Sequence, residues 1–325
     1  MNRVNTVFSS RNGFVAVMNR RRFLAVALGF GFLLAQLPLG ASEAVVAAPA
    51  KAQPMQVRTA QRYKIAAVDL MMLKRQKLGA LTLAQELGLD GIEVDMGGLG
   101  DRPTFDNKLM DPVVRQQFID KRAELGLEFC SLGMTGFYAQ SFAERPGIEL
   151  TVKDCIETAR LLGVKVVFLP LGVKGDLVKH PELRPAVIAR LKAVAPIAAA
   201  AGVVIGIETA LSATDEVKLL DEVGSPAVRS YFNFSNALQN GRDLHEELRI
   251  LGRDRICQIH CTNQDGVWLQ NDPKIDLPKV KKTLDELGWS GWLVIERSRD
   301  AKEPSNVRKN FGANATYLKW VFQPE

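Results

Sequence analysis

The chain repeats one pattern that strongly restricts its fold: a helical stretch ends in glycine, and a short apolar run follows within a few residues. The pattern starts at Tyr63, and its eight apolar runs read YKIAAVDL, LDGIEVDM, LEFCSLG, VKVVFLP, VVIGIET, VRSYFNF, ICQIHCT and GWLVIER. A glycine after a helix can adopt the left-handed conformation that turns the chain back toward the next strand. The pattern therefore predicts eight strands that alternate with helices, as in a parallel sheet.

Eight such strand and helix units close into a barrel. We predict an α/β fold: a single (βα)8 TIM barrel over residues 63–325, preceded by a signal segment (1–48) and a short linker (49–62). An open, doubly wound sheet is the alternative. Such a sheet normally carries a glycine-rich phosphate-binding turn after its first strand, and the segment AVDLMMLKR contains no glycine.

The signal segment is predicted from the stretch NRRRFLAVALGFGFLLAQLPLGASEA, in which a basic part precedes an apolar part and small residues suited to cleavage. Arg20 and Arg21 before Phe23 resemble a twin-arginine signal, so we expect the twin-arginine machinery to export the protein to the periplasm. Met18 is an alternative start. A retained membrane anchor is the alternative to cleavage, because the apolar part approaches the length needed to span a bilayer.

The net charge of +6 does not indicate a nucleic-acid partner, because most of it lies in the signal segment. Residues 1–44 carry five arginines and one glutamate and so hold +4, which leaves +2 for the rest of the chain. None of the four cysteines has disulfide or zinc spacing, and we interpret all as structural. Cys257 and Cys261 share the strand parity of Ile259, which predicts that they pack against the helices.

Polar side chains stand at the ends of several predicted strands, where the C-terminal face of a barrel forms the active site. They are Glu93, Asp95, Glu208, Asn233, Asn236, His260 and Glu296. Alternation along the seventh strand puts Ile256, Gln258 and His260 on one face, which we expect to point inward. Other polar residues are weaker candidates: we expect His180 and His245 at the surface, and Lys174 and Asp176 in a solvated loop.

Two ionised carboxylates that converge on one barrel mouth repel each other unless something compensates their charge. Glu208, Asn233, His260 and Glu296 come from four consecutive strands and form an oxygen-rich set with a single nitrogen. Such a set suits one divalent cation, Mn²⁺, Mg²⁺, Co²⁺ or Zn²⁺. The alternative is that each glutamate points to solvent and His260 hydrogen-bonds a neighbouring strand.

The order of these four residues, closed by GWSGWLVIE, resembles the xylose isomerase-like TIM-barrel superfamily of sugar phosphate isomerases and epimerases. The resemblance covers about residues 63–320. It implies Glu208, Asn233, His260 and Glu296 as metal ligands, with Glu208 and Glu296 also exchanging protons with the substrate as catalytic residues. The candidate substrate residues are Glu93, Asp95 and Asn236.

The chain departs from the family pattern in three places. Asn233 stands where the family usually has a metal-binding aspartate, and Asn236 where many epimerases have a substrate-binding histidine. After His260, the frequent HxKD becomes HCTN, and a glycine-rich segment further on becomes NDPKID. An amide oxygen lacks the charge of a carboxylate and therefore binds a cation more weakly.

The resemblance implies a metal-dependent sugar isomerase or epimerase that removes a proton beside a bound carbonyl and forms an enediolate. Export favours an unphosphorylated sugar, as does the lack of a basic cluster at the strand ends. Arg297 and Arg299 are the nearest basic residues, and Arg297 has outward parity. The alternatives are a 3-keto-glycoside lyase acting by β-elimination and a non-catalytic sugar-binding barrel. A nuclease on the same fold is excluded, because its three-zinc site needs more histidines than this chain has.

Overall fold

The computed structural model describes residues 61–73 and 75–324. The predicted signal segment, residues 1–48, and nearly all of the predicted linker lie outside these residues. Within the described part of the chain, none of the helices combines the length and the apolar composition needed to cross a membrane.

Eight parallel strands form one closed barrel. The strands are β1 (Tyr63–Val68), β2 (Gly91–Asp95), β3 (Glu128–Gly133), β4 (Val166–Pro170), β5 (Val204–Glu208), β6 (Val228–Asn233), β7 (Ile256–His260) and β8 (Gly291–Ile295). Each strand pairs with the next, and β8 pairs with β1, which closes the barrel. Each strand falls inside one of the eight apolar runs, so the predicted (βα)8 barrel is confirmed for the described residues.

Helices alternate with the strands, and the longer helices cover the outside of the barrel. They are α1 (Asp69–Met72), α2 (Leu78–Glu86), α3 (Pro112–Glu124), α4 (Ile148–Leu162), α5 (Arg184–Ala201), α6 (Ala213–Val223), α7 (Phe234–Gln239), α8 (Leu244–Arg255), α9 (Leu277–Glu286) and α10 (Val307–Phe322). Short 3-10 helices occupy Lys108–Met110, Thr135–Tyr138, Val173–Gly175, Pro181–Leu183 and Leu269–Asn271. The regular geometry of α8 is interrupted at Gly252, as its glycine in the repeated pattern predicts.

The seven glycines of the repeated pattern all have the positive φ angle predicted for them, between 64° and 73°. At the end of α4, the N–H of Gly163 donates to Arg160 O at 3.2 Å and that of Val164 donates to Ala159 O at 2.8 Å. These bonds satisfy carbonyl groups that a helix end otherwise leaves without a donor. The glycine near the end of each of these seven helices thus turns the chain toward the next strand.

The side chains inside the barrel form a cluster separate from the main core, which joins the outer faces of the strands to the helices. The interior cluster contains Ala66, Val68, Cys130, Phe168, Tyr231 and Val294, with Cys257 and Trp292 packed against it. The interior is therefore filled by side chains, and polar groups reach solvent only at its ends.

The strand pairing shifts by one residue beside Cys130 in β3 and beside Cys257 in β7. Two successive residues of β6 pair with Ile256 and Gln258, so Cys257 is an extra residue in β7. An extra residue breaks the inward and outward alternation of a strand. Ile256 consequently lies in the main core and Cys257 packs with the interior cluster, so the parity prediction is wrong for both. Cys261, beyond the shift, lies in the main core as predicted.

Gly206 in β5 leaves the space that Cys257 fills. A Cβ atom at this position would lie 2.8 Å from Cys257 Sγ and 3.0 Å from Tyr231 Cδ2. We therefore expect Gly206→Ala to lower the free energy of unfolding by about 1–3 kcal/mol, measured by urea denaturation. Adding Cys257→Ala should restore part of this loss, because it removes the nearest atom. An unfolding free energy within about 0.5 kcal/mol of the wild-type value would contradict this account of the interior.

The two histidines expected at the surface differ in position. His180 is exposed, as predicted. His245 on α8 is buried, and its Nδ1 lies 2.9 Å from Thr283 Oγ1 on α9, so the prediction is wrong for this residue. The reason is that α8 packs against α9, which covers this face of the helix. Burial lowers the pKa of His245, so this side chain is a neutral structural group.

Candidate active site at the C-terminal end of the barrel

Four of the predicted site residues meet at the C-terminal ends of consecutive strands. Glu208, Asn233 and His260 are the last residues of β5, β6 and β7, and Glu296 follows β8 directly. All four side chains are buried. Glu208 connects three neighbours: its Oε2 accepts from Asn233 Nδ2 at 2.9 Å and lies 2.9 Å from His260 Nδ1, and its Oε1 accepts from Tyr138 at 2.9 Å.

The side-chain amide of Asn233 has a defined orientation. Its Oδ1 accepts a hydrogen bond from the Ser235 backbone N–H at 2.8 Å and so caps the start of α7. Its Nδ2 group therefore points the other way, toward Glu208 at 2.9 Å and Glu296 at 3.4 Å. One amide thus donates to both carboxylates.

His260 lies between two carboxylates inside the barrel. Its Nδ1 contacts Glu208, and its Nε2 lies 3.7 Å from Glu93 Oε1. The imidazole is 1% exposed and packs against Phe168 and Tyr231, with ring centroids 4.8 and 4.5 Å away. Burial by itself lowers the pKa of His260, but the hydrogen bonds and charges of the neighbouring carboxylates outweigh burial and raise it to about 10. The imidazole is therefore protonated at neutral pH.

Glu93, predicted to lie near the substrate, is instead fully buried in the barrel interior. Its Oε2 accepts from Ser131 Oγ at 2.7 Å and from the Tyr231 hydroxyl at 2.8 Å. Within the described residues, neither Glu93 Oε1 nor His260 Nε2 has a hydrogen-bond partner. Glu93 thus supports His260 from inside the barrel and does not line the cavity above it.

Asp95, the other predicted substrate residue of β2, is also fully buried. Arg75 donates to its Oδ1 at 2.6 Å, Gly97 N–H donates to the same oxygen at 2.8 Å, and Thr135 donates to Oδ2. These bonds use both carboxylate oxygens and connect β2 to neighbouring loops. Asp95 therefore has a structural role in this arrangement.

A cavity of about 340 Å³ opens above the buried side chains, within the range of small-molecule sites. Loops that follow β3 to β8 line it, and its polar residues are Tyr138, Asp176, Lys179, Glu208, Asn233, Ser235, Asn236, Gln239, Gln264, Glu296 and Arg297. Asn236 thus lies where a substrate residue was predicted. Asp176, expected in a solvated loop, is buried at the cavity.

Arg297 also lines the cavity, although its parity predicted an outward position. Strand β8 ends at Ile295, so the alternation of a strand no longer applies two residues later. Its Nε lies 3.7 Å from Glu296 Oε1, and Lys179 pairs with Asp176 at 3.2 Å. Each basic side chain at the cavity is thus close to a carboxylate.

The environments of Glu208 and Glu296 differ. Burial opposes ionisation of Glu208, but the hydrogen bond and charge of His260, together with the bonds from Asn233 and Tyr138, lower its pKa. Burial raises the pKa of Glu296; the charge of His260 opposes this effect, and the neighbouring Glu208 adds to it. Glu208 is therefore the group that stays ionised, and Glu296 is the group that more readily carries a proton.

These side chains do not fit a divalent cation between the two glutamates. The Nδ2 group of Asn233 presents N–H donors to Glu208 and Glu296, where a cation would need an oxygen. Across residues 61–73 and 75–324, no three His, Cys, Asp or Glu side chains are grouped as a metal site. The donor set therefore gives the predicted cation no support.

Tyr138 is a site residue that the sequence analysis missed. It ends a short 3-10 helix after β3, and its hydroxyl donates to Glu208. The only sequence signal is its position in a loop after a strand, and Phe137 shares that position but is buried in the core. Tyr231 was missed as well, although it has the same strand parity as Asn233 and could have been found that way.

Comparison with known proteins identifies relatives of this chain. The family model of the xylose isomerase-like TIM barrel matches residues 81–318. A curated relative is 2-epi-5-epi-valiolone 7-phosphate 2-epimerase of Actinoplanes sp., which is 27% identical over 181 residues, 54% of this chain. The chain spans 65% of that relative's length, which is less than two thirds.

Solved structures share the fold. D-psicose 3-epimerase of Clostridium cellulolyticum superposes with a TM-score of 0.64 at 12% identity, over 80% of this chain and 99% of the epimerase. The 3-keto-D-glucoside 4-epimerase of E. coli superposes with a TM-score of 0.60 at 17% identity, over 80% and 98% of the two chains. At these identities the likeness concerns the fold of the barrel.

Proposed function

Because the chain belongs to the xylose isomerase-like TIM barrel family, we propose that it is a sugar isomerase or epimerase that uses Glu208 and Glu296 for proton transfer. One observation carries the proposal: two buried carboxylates, from the ends of β5 and β8, face one cavity on either side of Asn233. The names of the relatives, which are epimerases of sugars and a related cyclitol phosphate, support the same class of reaction.

The proposed reaction is proton abstraction beside a carbonyl. Tyr138, Asn233 and His260 hold Glu208 in the ionised form, so Glu208 is the base. Glu296 is the group that returns a proton, because its pKa is raised. Return of the proton to the opposite face of the carbon gives epimerisation. Loss of a group from the adjacent carbon gives elimination, the reaction of a 3-keto-glycoside lyase.

The charges of the cavity favour a substrate without a phosphate group. Three carboxylates line it, those of Asp176, Glu208 and Glu296, against the two basic residues Lys179 and Arg297. Each of these basic residues lies near a carboxylate, whose charge reduces the attraction of the pair for a phosphate. The amides of Asn236, Gln239 and Gln264 can donate and accept hydrogen bonds, which suits hydroxyl groups. We propose a free keto-sugar or an oxidised glycoside, which is also consistent with export through the twin-arginine route.

The test is a screen of unphosphorylated keto-sugars and 3-keto-glycosides in D₂O, followed by mass spectrometry and NMR. We expect at least one compound to gain one deuterium at the carbon beside the carbonyl and to yield an epimer or isomer. Release of the aglycone would instead identify the lyase. Saturable sugar binding without deuterium gain for any compound would contradict the proposal and favour a sugar-binding barrel.

A further inference from the structure

Asn233 is held at both ends of its amide group. Its oxygen caps α7 through Ser235 N–H, at 2.8 Å. Rotation of the amide by 180° would put two N–H donors against the Ser235 N–H and remove the cap. The backbone of α7 therefore fixes the NH₂ group of Asn233 toward Glu208 and Glu296.

The two carboxylates contact this NH₂ group directly. It lies 2.9 Å from Glu208 Oε2 and 3.4 Å from Glu296 Oε2. The same Glu208 oxygen lies 2.9 Å from His260 Nδ1, and the other oxygen accepts from Tyr138. Both oxygens of Glu208 thus have partners within the protein, and three of its roughly four lone-pair sites are already used.

We infer that the amide of Asn233 takes the place of a divalent cation in this chain, and that the site holds its two carboxylates together by hydrogen bonds. The inference reverses the expectation from the sequence, in which Asn233 is a weak metal ligand. It goes beyond the proposed function, because it concerns the group that holds Glu208 and Glu296 together. It does not depend on which sugar the protein binds.

The matched substitutions Asn233→Asp and Asn236→Asp test this inference. Both add one carboxylate to the same cavity, but only the first replaces the NH₂ group between the glutamates. An aspartate can cap Ser235 with one oxygen and offer the other to a cation. We expect Mn²⁺ to bind Asn233→Asp at one ion per chain, roughly 10–100-fold more tightly than it binds the wild-type chain or Asn236→Asp.

The measurements are calorimetric titration of Mn²⁺ into the chelator-treated full chain and the melting temperature with and without Mn²⁺. Of the three chains, we expect only Asn233→Asp to gain melting temperature when Mn²⁺ is added. Each chain is compared with itself, so the test holds even if the variant is less stable without the ion. Stoichiometric Mn²⁺ binding to the wild-type chain with the same affinity as to Asn233→Asp would overturn the inference. Equal gains in both variants would overturn it too, because position 233 would then have no special role. Neither titration needs a sugar, so the result is independent of the proposed reaction.

Discussion

Glu208→Gln and Glu296→Gln should each slow deuterium incorporation into an accepted sugar by about 10²–10⁴-fold, the contribution of a positioned acid or base. The substitutions keep the shape of the side chain, so sugar binding should persist. The two residues are joined through one amide and face the same cavity, and in the proposed reaction each supplies a different step, removal or return of the proton. Single-turnover exchange in D₂O measures the loss, and equilibrium dialysis measures binding.

Glu216→Gln is the matched control for these two variants. Glu216 on α6 is buried like them but does not line the cavity. Burial raises its pKa to about 8, so at neutral pH a glutamine removes little charge. We expect this variant to exchange at the wild-type rate. If Glu208→Gln or Glu296→Gln also exchanges at a near-normal rate with every accepted sugar, that glutamate is not an acid or base of the reaction.

His260→Ala should lower the free energy of unfolding by about 3–5 kcal/mol at pH 6, because it leaves two buried carboxylates without their charged partner. Those carboxylates are Glu208 and Glu93, 2.9 and 3.7 Å from the imidazole nitrogens. His180→Ala is the control: His180 is exposed and its loss should change stability by less than about 0.5 kcal/mol. Urea denaturation of the three chains at pH 6 provides the comparison.

The contribution of His260 should also depend on pH in a defined direction. Its folded-state pKa, about 10, is above the unfolded value of 6.5, so the folded state binds the proton more tightly. The stabilisation is therefore complete below about pH 6.5 and is lost as the pH rises toward 10. The stability difference between the wild-type chain and His260→Ala should shrink over this range. A difference that is constant from pH 6 to pH 9 would show that His260 does not act through its charge.

The sequence by itself determined the architecture of this protein. Its evidence is local: seven helices end at or near a glycine such as Gly163, and each strand is a short apolar run, so eight strands can be counted without any contact being known. The sequence also predicts that one end of the barrel holds Glu208, Asn233, His260 and Glu296. Parallel strands end on the same side of a sheet, so position along the chain is sufficient to predict this.

The tertiary structure alone decided which contacts these side chains make there. Alternation could not predict the extra residue at Cys257, because such a shift arises from pairing with the neighbouring strand. The alternation along the strands also could not predict that Glu93 lies beneath His260 or that Tyr138 lies beside Glu208, because these contacts join residues far apart in the chain. The sequence could not predict the orientation of the Asn233 amide either, because this orientation follows from the hydrogen bond that its oxygen accepts at the start of α7. Hydrogen-bond direction depends on where every neighbouring donor lies, and only the folded chain fixes those positions.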